Sequence, residues 1–212
     1  MSETMSDLHY NTISEDQKQL LQELSSLDFG NLVGGTGLSL QIGHRKSFDL
    51  DYVVQTKLTE LQLFKIKKEL SRHTLSQRLL SDTQYTAFAD AVKVTFFQDV
   101  AEFLHPIVTL DSTRLVSPKD IFSTKLFVMG KRATWRDYVD VAVCLDQNIQ
   151  TLEQGIKEAV QRYQVAERWI LDPLTYFDDL EMTPIDWIGT SYSDDEIKSI
   201  LKRSVEHYIK NI

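Results

Sequence analysis

The first quarter of the chain alternates between helical and strand-like spacing of its apolar residues. Ser14 and Gln17 form the pattern of a capping box, which predicts the start of a helix. Leucines at helical spacing follow it, at Leu20, Leu21, Leu24 and Leu27. Residues 31–33 predict a short extended segment, and residues 36–42 predict a short helix. Residues 47–54 alternate between polar and apolar side chains, which predicts a strand.

The remainder of the chain separates into a strand-rich part and a helical part. Apolar residues 58–70 predict a helix, and we expect strands at residues 75–80, 85–88, 91–98 and 107–110. After residue 117 the pattern is wholly helical, with helix starts expected at Pro118, Thr134, Thr151, Glu167 and Ser193. The sequence therefore predicts an α+β fold, with a core domain in residues 1–115 and a helical region in residues 116–212.

Composition narrows the class of protein. The 212 residues are 42% hydrophobic, enough for a substantial core. The single cysteine, Cys144, excludes a disulfide framework, fits a reducing compartment and lies in an apolar run where we expect it to be buried. The polar, acidic N-terminus is unlike a secretory signal, and no apolar stretch approaches the roughly 20 residues of a membrane span. We therefore expect a cytoplasmic protein without a membrane anchor.

A pair of carboxylates is the first candidate for chemistry. Ser47, Asp49 and Asp51 alternate along the predicted strand, so their side chains are expected on one face. Two neighbouring carboxylates repel each other unless a cation lies between them, and Mg²⁺ commonly binds one or two carboxylates together with substrate phosphates. A solvated strand face is the alternative interpretation of this pattern taken alone.

A glycine pair lies about 12 residues before these carboxylates. Gly34 and Gly35 permit close approach of the backbone, and Thr36 adds a hydroxyl group. Free N–H groups at the start of the following helix can bind phosphate. A lone glycine pair is common, but its combination with the carboxylates predicts a nucleotidyl-transfer site.

Basic residues cluster locally in an otherwise acidic chain with a net charge of −8. The total charge argues against a broad surface that coats nucleic acid, yet a local patch can still grip one RNA. The alternative is ordinary solvated helix charges. The cluster consists of Lys119, Lys125, Lys131, Arg132 and Arg136.

Four sequence blocks together resemble the nucleotidyltransferases of the AbiEii/AbiGii toxin family. The first block is the glycine run followed by GHRKSFDLD, and the second is KVTFF at residues 93–97. The third block joins Lys125 to a later run around Asp137, and the fourth is LTYFDD at residues 174–179. Gly37 and Thr95 depart from the family pattern, where alanine and serine are usual, and neither change removes a charge. The blocks follow the family order over residues 30 to 180.

The resemblance implies a polymerase-β-like nucleotidyltransferase core, a small mixed sheet with helices, whose active site the helical region completes. Members transfer a nucleotide from an NTP to an acceptor, often a tRNA end. Many pair with an antitoxin, and some serve phage defence. The implied catalytic residues are Asp49, Asp51, Lys125 and Asp137, with Mg²⁺ at the first two. The implied nucleotide ligands are Gly34, Gly35, Thr36, Ser47 and Lys125.

Several assignments remain open from the sequence. Asp140, His44 and Arg132 can be catalytic or structural. A catalytically idle binding protein, or an enzyme that modifies proteins or small molecules, are the rival functions. The nucleotide, the acceptor, the oligomeric state and the antitoxin are not encoded by any short motif.

Overall fold

The computed structural model describes residues 7–132 and 134–211, and within them the chain forms eight α-helices and seven β-strands. The helices are α1 (Glu15–Leu24), α2 (Gly34–Ile42), α3 (Glu60–Glu69), α4 (Pro118–Met129), α5 (Trp135–Asp146), α6 (Leu152–Tyr163), α7 (Glu167–Thr175) and α8 (Asp194–Asn211). The strands are β1 (Asn31–Val33), β2 (Leu50–Val54), β3 (Leu75–Leu80), β4 (Gln84–Ala89), β5 (Val92–Gln98), β6 (Val108–Leu110) and β7 (Thr113–Leu115).

Local capping chemistry explains where several helices begin. Ser14 forms the expected capping box with Gln17, and Thr151 accepts a hydrogen bond from the backbone of Gln154. The hydroxyl of Ser193 accepts from the Glu196 backbone while the Glu196 carboxylate accepts in return. These sequence signals placed the helix starts correctly because they satisfy orphan N–H groups by local contacts alone.

Contacts divide the chain into two compact units. The first unit contains residues up to 102 together with 106–117, and the second contains 103–105 and 118–211. The first unit holds the strands and the second is helical, so the α+β class with a helical C-terminal half is confirmed.

The first unit is built on one mixed sheet of order β3-β4-β5-β2-β1-β7-β6. β2 pairs in parallel with β5, and β1 pairs in parallel with β7, whereas the other neighbours are antiparallel. One sheet face is apolar and packs into the core with α1 and α3, through side chains such as Leu50, Tyr52, Val94 and Phe96. The opposite face carries the polar residues of the candidate site.

Three details of the first unit differ from the sequence prediction. Helix α2 begins at Gly34 rather than at residue 36, so both glycines lie in its first turn. Strand β2 begins at Leu50, so Ser47 and Asp49 precede it and only Asp51 lies within it. Residues 47–49 show the polar and apolar alternation of a strand but do not pair with a neighbouring strand. Hydrogen bonds with Thr36 hold them instead. Strand β7, Thr113–Leu115, was not predicted from the sequence.

The second unit packs its helices around a core that includes Phe122, Trp135, Tyr138 and Ile156. Cys144 is fully buried, as expected. Asp120 is also fully buried, where its carboxylate accepts hydrogen bonds from the backbone N–H groups of Leu104 and His105 at 2.9 Å. This contact holds residues 103–105 in the second unit. Across the described parts of both units, each helix is too short or too polar to span a bilayer.

Candidate functional site

A tight turn joins β1 to α2 beside a carboxylate. Val33, the last residue of β1, is the register partner of Asp51, and Gly34 follows with φ +69°. This left-handed conformation favours glycine. A Cβ on Gly34 would lie 3.3 Å from Asp51 Oδ2. The turn therefore brings the start of α2 against the carboxylate that the sequence assigned to metal.

The start of α2 lies next to a buried guanidinium group. A Cβ at Gly35 would lie 2.6 Å from Arg45 Nη2 and 3.2 Å from Ser47 Oγ. Arg45 is almost fully buried and donates through Nη1 to the carbonyl oxygen of Lys46 at 2.8 Å. A side chain at this position would have to displace the buried Arg45 guanidinium, so glycine leaves the helix N-terminus within reach of that positive charge. The first N–H groups of a helix have no intrahelical acceptor, which suits the binding of an anion.

Thr36 ties α2 to the segment that carries the carboxylates. Its hydroxyl lies 2.8 Å from Ser47 Oγ and also contacts the carbonyl oxygen of Asp49. A hydroxyl has one proton and a carbonyl can only accept, so Thr36 donates to Asp49 and accepts from Ser47. Thr36 is 2% exposed. Both hydroxyl groups thus fix the path of residues 47–49.

The two carboxylates differ in their surroundings. Asp49 is about half exposed and lies 3.2 Å from the ammonium of Lys93. Asp51 is partly buried beside Gly34 and is paired in register with Thr95 of β5. The hydroxyl group of Thr95 accepts a hydrogen bond from the hydroxyl group of Thr86 on β4, at 3.5 Å. Asp51 therefore lies at the end of a polar row on the sheet face opposite the apolar one, where Thr86 and Thr95 are buried.

This donor set fits Mg²⁺. Two carboxylates, with oxygen ligands from substrate phosphates, match what the ion commonly takes. Among the residues that the structure describes, no group of three or more acidic, histidine or cysteine side chains is arranged around a common point. The two carboxylates alone would therefore leave coordination positions open, which substrate phosphate oxygens would fill.

The second unit carries a buried ionic cluster of one lysine and two aspartates. Lys125 of α4 donates to Asp137 Oδ1 at 2.6 Å and lies 2.7 Å from Asp140 Oδ2, both on α5. The side chain of Lys125 is 8% exposed and that of Asp140 is fully buried. Burial opposes ionisation of Asp137, but Lys125 and the hydroxyl of Thr134 outweigh it, and the pKa of this carboxyl lies below its ordinary value. The cluster is a preformed ionic group in a poorly solvated place.

The basic cluster proposed from the sequence does not form one surface. Lys125 is buried in the ionic cluster, and Lys119 lies in the first turn of α4, far along the helix from Lys131 and Arg132. Lys131, Arg132 and Arg136 are exposed. The Lys131 ammonium lies 4.2 Å from the centre of the Phe127 ring. Of the five basic residues in the predicted cluster, these three are exposed near the junction of α4 and α5.

Sequence reasoning missed three charged contacts. Arg45 and Lys93 lie in the quoted sequence blocks without an assigned catalytic or binding role, yet Arg45 lies directly against Gly35 and Lys93 contacts Asp49. Asp140 contacts Lys125 as closely as Asp137 does. The i,i+3 spacing of Asp137 and Asp140 on one helix face was the available signal for Asp140. The contact of Lys93 with Asp49 depends on the pairing of β2 with β5, for which the sequence held no local signal.

Solved structures of other proteins have a similar fold. MenT4, a nucleotidyltransferase toxin from Mycobacterium tuberculosis, superposes with a TM-score of 0.62 at 13% identity, over 90% of this chain and 80% of that one. JHP933 from Helicobacter pylori gives a TM-score of 0.60 at 16% identity, over 94% of both chains. At these identities the likeness establishes the fold.

Sequence comparison assigns the family. Residues 83–208 match the model of the nucleotidyl transferase AbiEii toxins of type IV toxin–antitoxin systems. The match includes Lys125, Asp137 and Asp140, and it begins after the glycine turn and its carboxylates. The chain therefore belongs to the AbiEii family of nucleotidyltransferase toxins, as its sequence blocks predicted. An uncharacterised protein from Aquifex aeolicus is 23% identical over 210 residues, which cover 94% of this chain and 98% of that protein.

Proposed function

We propose that the chain transfers a nucleotidyl group from a Mg²⁺-bound NTP to an RNA acceptor such as a tRNA end, and that the NTP binds in the first unit. The observation that supports this proposal is the contact of Gly34 with Asp51 at the start of α2. One turn of backbone there presents helix N–H groups beside a carboxylate. The N–H groups would bind a phosphate, and the carboxylate would bind its metal ion.

We assign separate tasks to the residues around this turn. Gly34 and Gly35 admit the triphosphate to the backbone amides of α2, and Arg45 supplies a fixed positive charge beneath it. Asp49 and Asp51 would hold Mg²⁺, which stabilises negative charge on attacking and leaving oxygens when it is bound. Thr36 and Ser47, which the resemblance implies as nucleotide ligands, also position Asp49 through their hydrogen bonds.

We further propose that Lys125 and Asp137 serve the same reaction. The support is the family pattern together with the short contacts that fix the lysine between two carboxylates. A cation held in place needs no reorganisation when charge develops on the phosphates, so its contribution falls mainly on the transition state. Asp140 has the same relation to Lys125 as Asp137, and we assign it to positioning the lysine.

The proposal of an RNA acceptor draws support from the exposed basic residues Lys131, Arg132 and Arg136. Positive side chains near one another attract the phosphate backbone even in an acidic protein. A cognate antitoxin is proposed because the family is defined by toxin–antitoxin systems.

Incubation with each of four NTPs labelled at the α-phosphate, Mg²⁺ and total RNA, followed by gel separation, tests the proposal. We expect label in an RNA band, with its loss in Asp49→Asn. Label in a protein or a small molecule, and none in RNA, would show that the acceptor is not RNA. A failure to label any acceptor, with NTP still bound, would favour the catalytically idle protein.

A further inference from the structure

We propose that Lys93 occupies the position of the divalent cation at Asp49 until the nucleotide arrives, and then becomes a ligand of the triphosphate. This inference rests on the proposed function, because it needs a metal ion at Asp49. It adds a residue for which the sequence suggested no role.

Backbone pairing places Lys93 beside Asp49. Strands β2 and β5 are parallel, with Leu50 in register with Val94, so the preceding residues of each strand flank one another. The Lys93 ammonium lies 3.2 Å from Asp49 Oδ2. The contact is therefore set by the sheet and is more than a chance encounter of two mobile surface side chains.

Acidic and basic side chains alternate around the turn. Asp49 and Asp51 bring two negative charges, and Arg45 and Lys93 bring two positive ones. The Arg45 guanidinium is buried against Gly35, whereas the side chain of Lys93 is 38% exposed. A flexible four-carbon stem allows the ammonium of Lys93 to move, which the buried Arg45 cannot do. Lys93 is thus the exchangeable cation of the pair.

The exchange is energetically accessible because the ion pair is solvated. Exposed pairs of this kind contribute little, so Asp49 can give up its lysine for a divalent ion. The two cations then repel each other, and Lys93 turns toward the nearest new negative charge. The phosphates of an NTP bound at Gly34 and Gly35 provide that charge, and hydrogen bonds from an ammonium to phosphate are strong.

The proposal predicts opposite effects on two affinities. Lys93→Met should bind Mn²⁺ without nucleotide at least about fivefold more tightly than the native protein, since a competing cation has gone. The same variant should bind a Mg²⁺ complex of a non-hydrolysable NTP at least about threefold more weakly, since a phosphate ligand has gone. Mn²⁺ binding is measured by electron paramagnetic resonance of the free ion, and nucleotide binding by calorimetry, both at constant ionic strength.

Two matched variants control for charge and folding. Lys93→Arg keeps the charge and should stay within about twofold of the native values for both ligands. Lys46→Met removes the same charge from an exposed side chain three residues before Asp49 and should also change neither affinity by more than about twofold.

The possible results separate this inference from the proposed function. Mn²⁺ binding that is lost in Asp49→Asn but unchanged in Lys93→Met would overturn the role of Lys93 and leave the metal site standing. Mn²⁺ binding that Asp49→Asn does not reduce would overturn both. A gain in Mn²⁺ affinity without a loss in nucleotide affinity would overturn the phosphate contact alone, and a loss of both would make Lys93 a structural residue.

Discussion

The two units place their charged groups in opposite environments. In the first unit, Lys93 and Asp49 are 38% and 47% exposed and stand 3.2 Å apart. In the second unit, Lys125 is 8% exposed and contacts Asp137 and Asp140 at 2.6 and 2.7 Å. A solvated pair can exchange partners with a ligand, whereas a buried cluster loses much of its stability when one member is removed. The charged groups of the first unit are therefore open to exchange, whereas those of the second unit are held rigidly by burial and short contacts.

The largest effect is expected from Lys125→Met. This change leaves Asp137 and Asp140 buried without their cation, and we expect the free energy of unfolding to fall by about 3–5 kcal/mol. Urea denaturation followed by circular dichroism measures the loss. Adding Asp140→Asn should restore part of the stability, because one uncompensated charge is then gone.

Lys93→Met is the control for that comparison, since it breaks an exposed pair. Its unfolding free energy should change by less than about 1 kcal/mol. Equal losses in the two lysine variants would contradict the contrast between the units.

Asp49→Asn should reverse the pattern, with a large effect on activity and a small one on stability. The amide keeps the shape of the side chain but removes a charge from the proposed metal site, so we expect turnover to fall by at least about 100-fold. The free energy of unfolding should stay within about 1 kcal/mol of native, because the side chain is half exposed. Single-turnover transfer assays and urea titrations on one preparation measure both quantities. Turnover close to native would remove Asp49 from the site.

Gly34→Ala tests the turn itself. An alanine at φ +69° is strained by about 1–2 kcal/mol, and its Cβ would lie 3.3 Å from Asp51 Oδ2. We expect a loss of stability of that size, together with weaker binding of a non-hydrolysable NTP measured by calorimetry.

Gly189→Ala is the matched control for backbone strain. Gly189 has φ +74°, and a Cβ there would meet no atom within 4 Å. Its stability should fall by a similar amount while nucleotide binding is retained. If both glycine variants kept full nucleotide affinity, the triphosphate would have to bind elsewhere.

The contrast between the units also explains what the sequence could predict. Capping residues such as Ser14 and Ser193 act over three residues, so they located helix starts correctly. The polar alternation predicted a strand from residue 47, three residues before β2 begins at Leu50. The prediction was too long because hydrogen bonds of Thr36, rather than strand pairing, hold Ser47 and Asp49. Periodicity carries no information on such contacts between distant residues.

The residues of the candidate site also differ in how far the sequence could identify them. The carboxylates and glycines were identified because they lie within 18 residues of one another, and Lys125 and Asp137 came from the family resemblance. Lys93 lies 44 residues from Asp49, and only the parallel pairing of β2 with β5 brings them together. Arg45 is close in sequence, but its burial against Gly35 depends on the path of the chain between them.

The smallest effect is expected at a third charged cluster, which lies between the two extremes of exposure. His73, 11% exposed, contacts Asp90 at 2.7 Å through Nδ1 and Glu23 at 2.8 Å through Nε2. The hydrogen bond to Asp90 is the main cause that raises the pKa of this imidazole above its ordinary value.

A raised pKa fixes the sign of the pH dependence. The charged imidazole stabilises the fold fully below its unfolded pKa of about 6.5, and this contribution is lost as the pH rises through the folded pKa. His73→Asn should therefore be destabilised relative to native by about 1 kcal/mol at pH 5.5, and the difference should shrink by pH 9. Urea titrations at both pH values measure the difference, with His207→Gln as the control because His207 lies on an exposed part of α8. A His73→Asn difference that grew with pH would mean that the neutral imidazole is the stabilising form.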